Sequence, residues 1–227
     1  MTDVPALEAE GLTKAYGDLV ALHPLDLTVP AGQSLALIGH NGSGKSTLLR
    51  MAAGLLEPTD GHLEIAGFEC GELEARATTS FLPDEPVLYD DLSLYEHVDY
   101  VSRLHGGDGY DEYAESLIGR LGLTSRLEDL PSRFSRGLRQ KTSIVLALVR
   151  PFSLLLVDEP FVGLDQPGKA VFLEMLEEVH TDGAATVVAT HDPAYVDQVE
   201  RSVALRDGEV MFDGRASIDQ VLGLVGG

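Results

Sequence analysis

The stretch Gly39-His40-Asn41-Gly42-Ser43-Gly44-Lys45-Ser46-Thr47 decides how the rest of the chain is read. It fits glycine, four residues, then Gly-Lys-Ser at every position, the pattern of a loop that wraps nucleotide phosphates. Glycines let the backbone curl so that successive amides point at phosphate oxygens, and the positive end of the following helix adds to their pull. Lys45 then reaches the β- and γ-phosphates, and the Ser46 hydroxyl falls on the Mg2+ that bridges them. A plain glycine turn is the alternative, because four fixed positions coincide by chance in on the order of one chain per hundred of this length. The flanks argue against it. Gln33 to Ile38 reads as a short buried strand running into the loop, and Thr47 to Ala53 as a helix stopped by Gly54.

Length and charge bound the rest. The 227 residues suffice for one large α/β domain, residues 1–227, with an ample core and no second copy of the motif set. A formal net charge of −21 argues against a nucleic-acid partner, since a polyanion is repelled. The single cysteine, Cys70, cannot close an intrachain disulfide, which fits a reducing compartment. There is no apolar run of about 18 residues and no basic-then-apolar leader, which predicts a soluble chain kept in the cytoplasm. The short tail after Phe212 predicts no regulatory domain.

Outward from the loop, residues from Leu7 to Val29 alternate in short segments broken by Gly17, Asp18 and Pro24, which suits antiparallel strands. Leu63 to Ala66 looks similar, and Val203 to Phe212 reads as a hairpin turned at Asp207-Gly208. From about 85 to 135 the pattern becomes helical, an insert broken at Gly106 to Gly109 and at Pro131. Leu154 to Val157 and Thr186 to Thr190 are continuous apolar or β-branched runs, as expected of strands covered on both faces of a parallel sheet. Between them Ala170 to His180 places Val171, Met175, Leu176 and Val179 on one helix face, supplying the crossover that parallel pairing needs. The expected fold class is α/β: a P-loop NTPase core with a mixed, mainly parallel sheet, an antiparallel β subdomain and a helical subdomain.

Two strand ends carry further chemistry. Leu154 to Val157 runs into Asp158-Glu159-Pro160, and ligands in open α/β sheets sit beyond the carboxyl ends of the strands. Asp158 is the expected Mg2+ partner, through a coordinated water. Glu159 is left free as general base for the attacking water. An ordinary acidic strand end is the bland alternative in so acidic a chain. Thr190-His191-Asp192 ends the next strand in the same way, where a histidine can donate to a γ-phosphate or merely cap the following helix.

Taken in order, these motifs resemble the nucleotide-binding subunit of an ATP-binding cassette transporter along nearly the whole chain. The resemblance implies that Tyr16 stacks on adenine. Phe134-Ser135-Arg136-Gly137-Leu138-Arg139-Gln140 is similar to the family signature, usually Leu-Ser-Gly-Gly-Gln, and keeps Ser135 and Gly137 while Arg136 and Leu138 depart from it. In the family this helix start grips the γ-phosphate of ATP held by the other subunit. Gly163-Leu164-Asp165 matches the loop that couples the two sites. Asp84 stands where many members carry a glutamine that meets Mg2+, a variation that resembles the branch serving drug or polysaccharide export permeases.

The implied mechanism is a head-to-tail dimer, with a second copy or a homologous cassette, closing on two ATP molecules and reopening after hydrolysis. Membrane-spanning permease subunits are the implied partners, docked around Asp84 to Tyr100 at the inner face of the cell membrane. The alternatives are a soluble cassette ATPase of a non-transport assembly complex and a nucleotide-binding module without turnover. Glu159 and His191 argue against the latter.

Overall fold

The alternating segments at the start of the chain form a long antiparallel pair, β1 (Leu7–Tyr16) and β2 (Leu19–Val29). A computed structural model describes residues 4–215 together with 217, 220 and 223, so most of the tail beyond Phe212 lies outside the described residues. Pro24, expected as a break, sits inside β2 instead. That strand is the edge of its sheet, and its pairing shifts register between Leu12↔Leu25 and Lys14↔Leu22, so a residue without an N–H is accommodated.

β3 (Ser34–Ile38) runs through the glycine loop into α1 (Lys45–Ala52), which begins two residues earlier than its apolar pattern indicated. Then come β4 (Asp60–Ile65), β5 (Phe68–Glu69), α2 (Leu73–Thr78) and β6 (Thr79–Leu82). The helical stretch holds α3 (Leu94–Leu104), α4 (Glu112–Arg120), two tight turns and α5 (Arg136–Leu148). Alternation resumes with β7 (Leu154–Asp158), α6 (Gln166–Thr181), β8 (Ala185–Ala189), α7 (Pro193–Val196), β9 (Arg201–Arg206) and β10 (Glu209–Gly214).

Strands pair in two sheets, an antiparallel one ordered β2-β1-β4-β5 and a mixed one ordered β10-β9-β3-β8-β7-β6. In the mixed sheet every neighbouring pair is parallel except β9 with β10. Its central strands are covered on both faces, which is why their sequences read as unbroken apolar runs. Ala36 and Ile38 of β3, with Leu155 and Val157 of β7, point into a core shared with α3 to α6. Leu35, Leu37, Leu154 and Leu156 point the other way, into a core shared with α1 and the antiparallel sheet.

Local signals fix the helix starts. Ser93 and Glu96 form a reciprocal capping box on α3, and Asp111, Ser135 and Asp165 cap α4, α5 and α6 with their side chains. In α6 the buried face is Phe172, Met175, Leu176 and Val179, while Val171 is half-buried. Spacing at i, i+3, i+4 and i+7 favours Phe172 over its neighbour.

Candidate functional site

Strand β3 delivers the glycine loop to the carboxyl end of the mixed sheet, where β7 delivers Asp158 and Glu159 and β8 leads into His191. Gly44, at φ 103°, caps α1 without a side chain. A Cβ there would also come within 2.9 Å of the Ala21 carbonyl oxygen. Helix starts leave their first amides without intrahelical partners, so this one offers donors to an anion. Residues 41–47 line a cavity of about 670 Å³, together with Tyr16, Asp84 and Glu159. Tyr16, half exposed, shares the cavity lining with Leu19 and Val20, and Lys14 Nζ stands 5.1 Å from the centre of its ring. That grouping gives a flat base an apolar shelf.

Lys45 is buried, and its Nζ donates to the carbonyls of Gly39 at 2.8 Å and His40 at 3.3 Å. It also lies 3.7 Å from Glu159 Oε1. His40 does not itself line the cavity, but its Nε2 lies 3.5 Å from Asp207, which does. Asp207-Gly208 is the hairpin turn read from sequence, and the Gly208 amide donates to the Ser43 carbonyl at 3.1 Å, so the turn buttresses the glycine loop.

Glu159 has φ 44°, a left-handed conformation costing a non-glycine residue about 1–3 kcal/mol, and its amide donates to the Ala189 carbonyl at 2.9 Å. The bend aims its carboxylate between Lys45 and His191. Oε1 faces Lys45, and Oε2 accepts from His191 Nδ1 at 2.9 Å. Glu159 therefore contacts both of the other sequence-predicted groups; Lys45 and Glu159 line the cavity, and His191 reaches it through Glu159.

Asp158 is fully buried, and neither carboxylate oxygen has a hydrogen-bond partner. Burial raises its pKa above the ordinary carboxylate range, Asp84 and Glu159 push the same way, and the Ser46 hydroxyl and Lys45 oppose the shift. Two orphaned oxygens beside Ser46 suit a divalent cation. Among the described residues no cluster of three or more His, Cys, Asp and Glu side chains forms a metal cage. Asp84 lines the cavity but pairs with Arg50 at 3.5 Å.

A raised folded-state pKa means that the native state binds more protons than the unfolded chain, so this group's contribution to stability falls as pH rises through that pKa. Asp158→Asn relieves the buried charge. At pH 7, without nucleotide or Mg2+, the variant is expected to unfold roughly 2–4 °C higher, the shift that about 1 kcal/mol produces in a chain of this size. A lower midpoint in a calorimetric scan would contradict the unpartnered burial.

Ser135, Gly137 and Asp165 do not line this cavity. Ser135 is exposed at the tip of α5, its Oγ accepting from the Leu138 amide at 3.3 Å. Gly137 is half-buried, and a Cβ there would come within 2.8 Å of the Gly163 carbonyl oxygen, so the α5 tip and the Gly163 loop are in close packing. Asp165 Oδ1 accepts from the Gly168 amide at 3.1 Å and pairs with Lys141 at 3.0 Å, contacts that hold its carboxyl below the usual range. Sequence reading missed Arg50, Lys141, Lys169 and the buttress of Asp207, because each acts through a partner remote in the chain. Another cleft, of about 580 Å³ between Gln33, His180 and Tyr195, brings none of the predicted groups together.

Residues 22–162 match the family model described as ABC transporter. Macrolide export ATP-binding/permease protein MacB 1 of Aeromonas hydrophila is 37% identical over 224 residues, covering 93% of this chain and 35% of that protein. The chain thus spans about a third of that relative's length. The ABC-type transporter ATP-binding protein EcsA of Bacillus subtilis is 32% identical, covering 93% of this chain and 87% of its own. Among solved structures, a dimeric ATP-binding cassette in a post-hydrolysis state with ADP and Pi superposes with a TM-score of 0.84 at 26% identity, covering 92% of this chain and 98% of that one.

Proposed function

Because the chain belongs to the ABC transporter family of ATP-binding domains, we propose that its residues 1–227, with the helical insert at about 85–135, form one unit that hydrolyses ATP to drive membrane transport by partner permease subunits. The observation that carries this reading is Glu159, held 3.7 Å from Lys45 and 2.9 Å from His191 at a cavity lined by the glycine loop.

The glycine loop and Lys45 hold the phosphates of ATP, and Tyr16 with its apolar neighbours holds the base. Ser46 and Asp158 hold Mg2+, with Asp84 beside them. Bound there, the cation neutralises the phosphate oxygens as charge develops. Glu159 takes the proton of the attacking water, and His191 orients Glu159 and donates to the γ-phosphate. Ser135 and Gly137, at the α5 tip outside this cavity, serve the nucleotide of the opposed copy or of a homologous cassette, and Asp165 couples the two sites. Loss of the γ-phosphate removes that shared contact and lets the pair reopen.

The exposed Val87 lines a groove of about 610 Å³ that also reaches Asp84, and the same stretch of chain exposes Leu104 and the edge-to-face pair Tyr89 and Tyr100. A group of exposed apolar side chains next to a groove marks a protein interface, and this one is where the permease docks. Among the described residues no helix is long and apolar enough to cross a membrane. The chain then sits peripherally on the inner face of the membrane through its partner. Export is the direction supported by the named role of MacB 1, while the narrower drug or polysaccharide branch rests on Asp84 alone.

The test is co-purification with the membrane protein encoded beside this chain, followed by an ATPase assay of the complex. Val87→Asp and Tyr89→Asp are expected to cut recovery of that protein at least about tenfold, the effect of roughly 1.4 kcal/mol, while ATP binding stays within about twofold. Recovery of a soluble neighbour alone would favour the non-transport assembly reading.

A further inference from the structure

Asp192 follows His191 directly, and Lys169 of α6 forms an ion pair with it that none of the nucleotide motifs uses. Both side chains are about one fifth exposed, at 22% and 21%. Lys169 Nζ donates to Asp192 Oδ2 in a charge-assisted hydrogen bond. The same ammonium lies 5.5 Å from the centre of the Phe161 ring, within cation–π range. Phe161 belongs to the segment that leaves Glu159, and Asp192 to the segment that leaves His191. A single side chain therefore touches both loops that present the Glu159–His191 pair.

The anchor behind that side chain is rigid. Lys169 lies one turn into α6, and its amide donates to the carbonyl of the capping residue Asp165 at 2.9 Å. Phe172, fully buried one turn further along, packs against Phe161 with ring centres 6.1 Å apart. Phe161 also meets Tyr195 at 6.2 Å. On the far side, the Asp192 amide donates to Thr190 Oγ1 at 3.0 Å, so a shift of Asp192 is carried straight into His191. Lysine is scarce in this chain, with four in 227 residues, yet one is placed here.

We propose that Lys169 is a positioning residue for ATP hydrolysis: it brackets the loop after Glu159 and the loop after His191 against α6, and thereby sets the 2.9 Å contact between His191 Nδ1 and Glu159 Oε2. The inference rests on the reading of that pair as the hydrolytic machinery. It adds that the pair is aligned from outside the cavity, by a group that touches neither nucleotide nor metal.

The test uses the ATPase as the permease-bound complex, with Lys169→Met, which keeps the aliphatic stem, and Lys169→Arg, which restores the charge. Lys169→Met is expected to lower kcat about tenfold with KM for ATP within about twofold, since misplacement of a reacting group by a fraction of an ångström costs that order. Lys169→Arg should recover most of the loss. In a His191→Ala background Lys169→Met should add nothing, because the group it positions is gone. A separate readout needs no turnover. The His191 ring resonances of the ATP-free protein, assigned by their loss in His191→Ala, should move in Lys169→Met and stay in place in Lys169→Arg. An unchanged kcat in Lys169→Met, or a tenfold loss that persists without His191, overturns the proposal. A wild-type complex with no ATP turnover would sink the ATPase reading instead, and the ring resonances alone would then decide whether the bracket exists.

Discussion

Glu159→Gln is expected to slow ATP hydrolysis by about 10²-fold or more, roughly 3 kcal/mol of barrier, while leaving ATP bound. Glutamine has nearly the shape of glutamate, so the backbone bend at φ 44° and the packing against His191 survive the change. What goes is the charge. The carboxylate can take a proton from water, whereas an amide cannot. Oε1 also loses its attraction to Lys45 at 3.7 Å, which leaves that ammonium freer to face phosphate and favours binding. Two effects of opposite sign on binding and chemistry separate this variant from a damaged one. Turnover of the purified complex near the wild-type rate would remove Glu159 from the role of base.

The same variant tests the shared arrangement of the two copies. Ser135 is exposed at a helix start, and its hydroxyl oxygen accepts from the Leu138 amide. An oxygen so placed can cap its own helix and still meet a phosphate from outside. With ATP trapped but uncleaved, Glu159→Gln should elute as a dimer in size-exclusion chromatography, and adding Ser135→Phe should return it to monomer.

Much of this site was legible in the sequence because its chemistry lies in contiguous runs. Residues 39–47 carry the phosphate loop in one stretch, and Asp158 with Glu159 are adjacent at a strand end. Burial on both faces made β7 and β8 readable as apolar runs. Edge strands gave weaker signals. Pro24 read as a break because pairing within a sheet penalises proline, but an edge strand with a register shift carries no such penalty. Hidden altogether were the charges that act across the fold. Lys14, Lys45, Lys141 and Lys169 are the only lysines, and every one stands on a site element: beside Tyr16, in the glycine loop, on Asp165 and on Asp192. Nothing in the order of residues announces pairs such as Lys169–Asp192, 23 positions apart. Arg50 of α1 and Asp84, two residues past β6, are another such pair, 34 positions apart.

Lys45→Ala should act at the opposite step, weakening ATP binding itself by about 10- to 10²-fold. A charge-assisted hydrogen bond to phosphate contributes on the order of 1.5–3 kcal/mol. The local structure sharpens the expectation. Lys45 Nζ is buried among the Gly39 and His40 carbonyls and Glu159, so its removal strands two acceptors and leaves one carboxylate facing the incoming phosphates. That carboxylate then repels them. Lys45→Ala/Glu159→Gln should therefore bind ATP more tightly than Lys45→Ala alone, because the second change removes the repulsion that the first exposes. Titration of a fluorescent ATP analogue reads all four proteins on one scale. Unchanged affinity in Lys45→Ala would show that the phosphates lie elsewhere. An effect of the double variant equal to the sum of the two single changes would show that Lys45 and Glu159 are not coupled at the ligand.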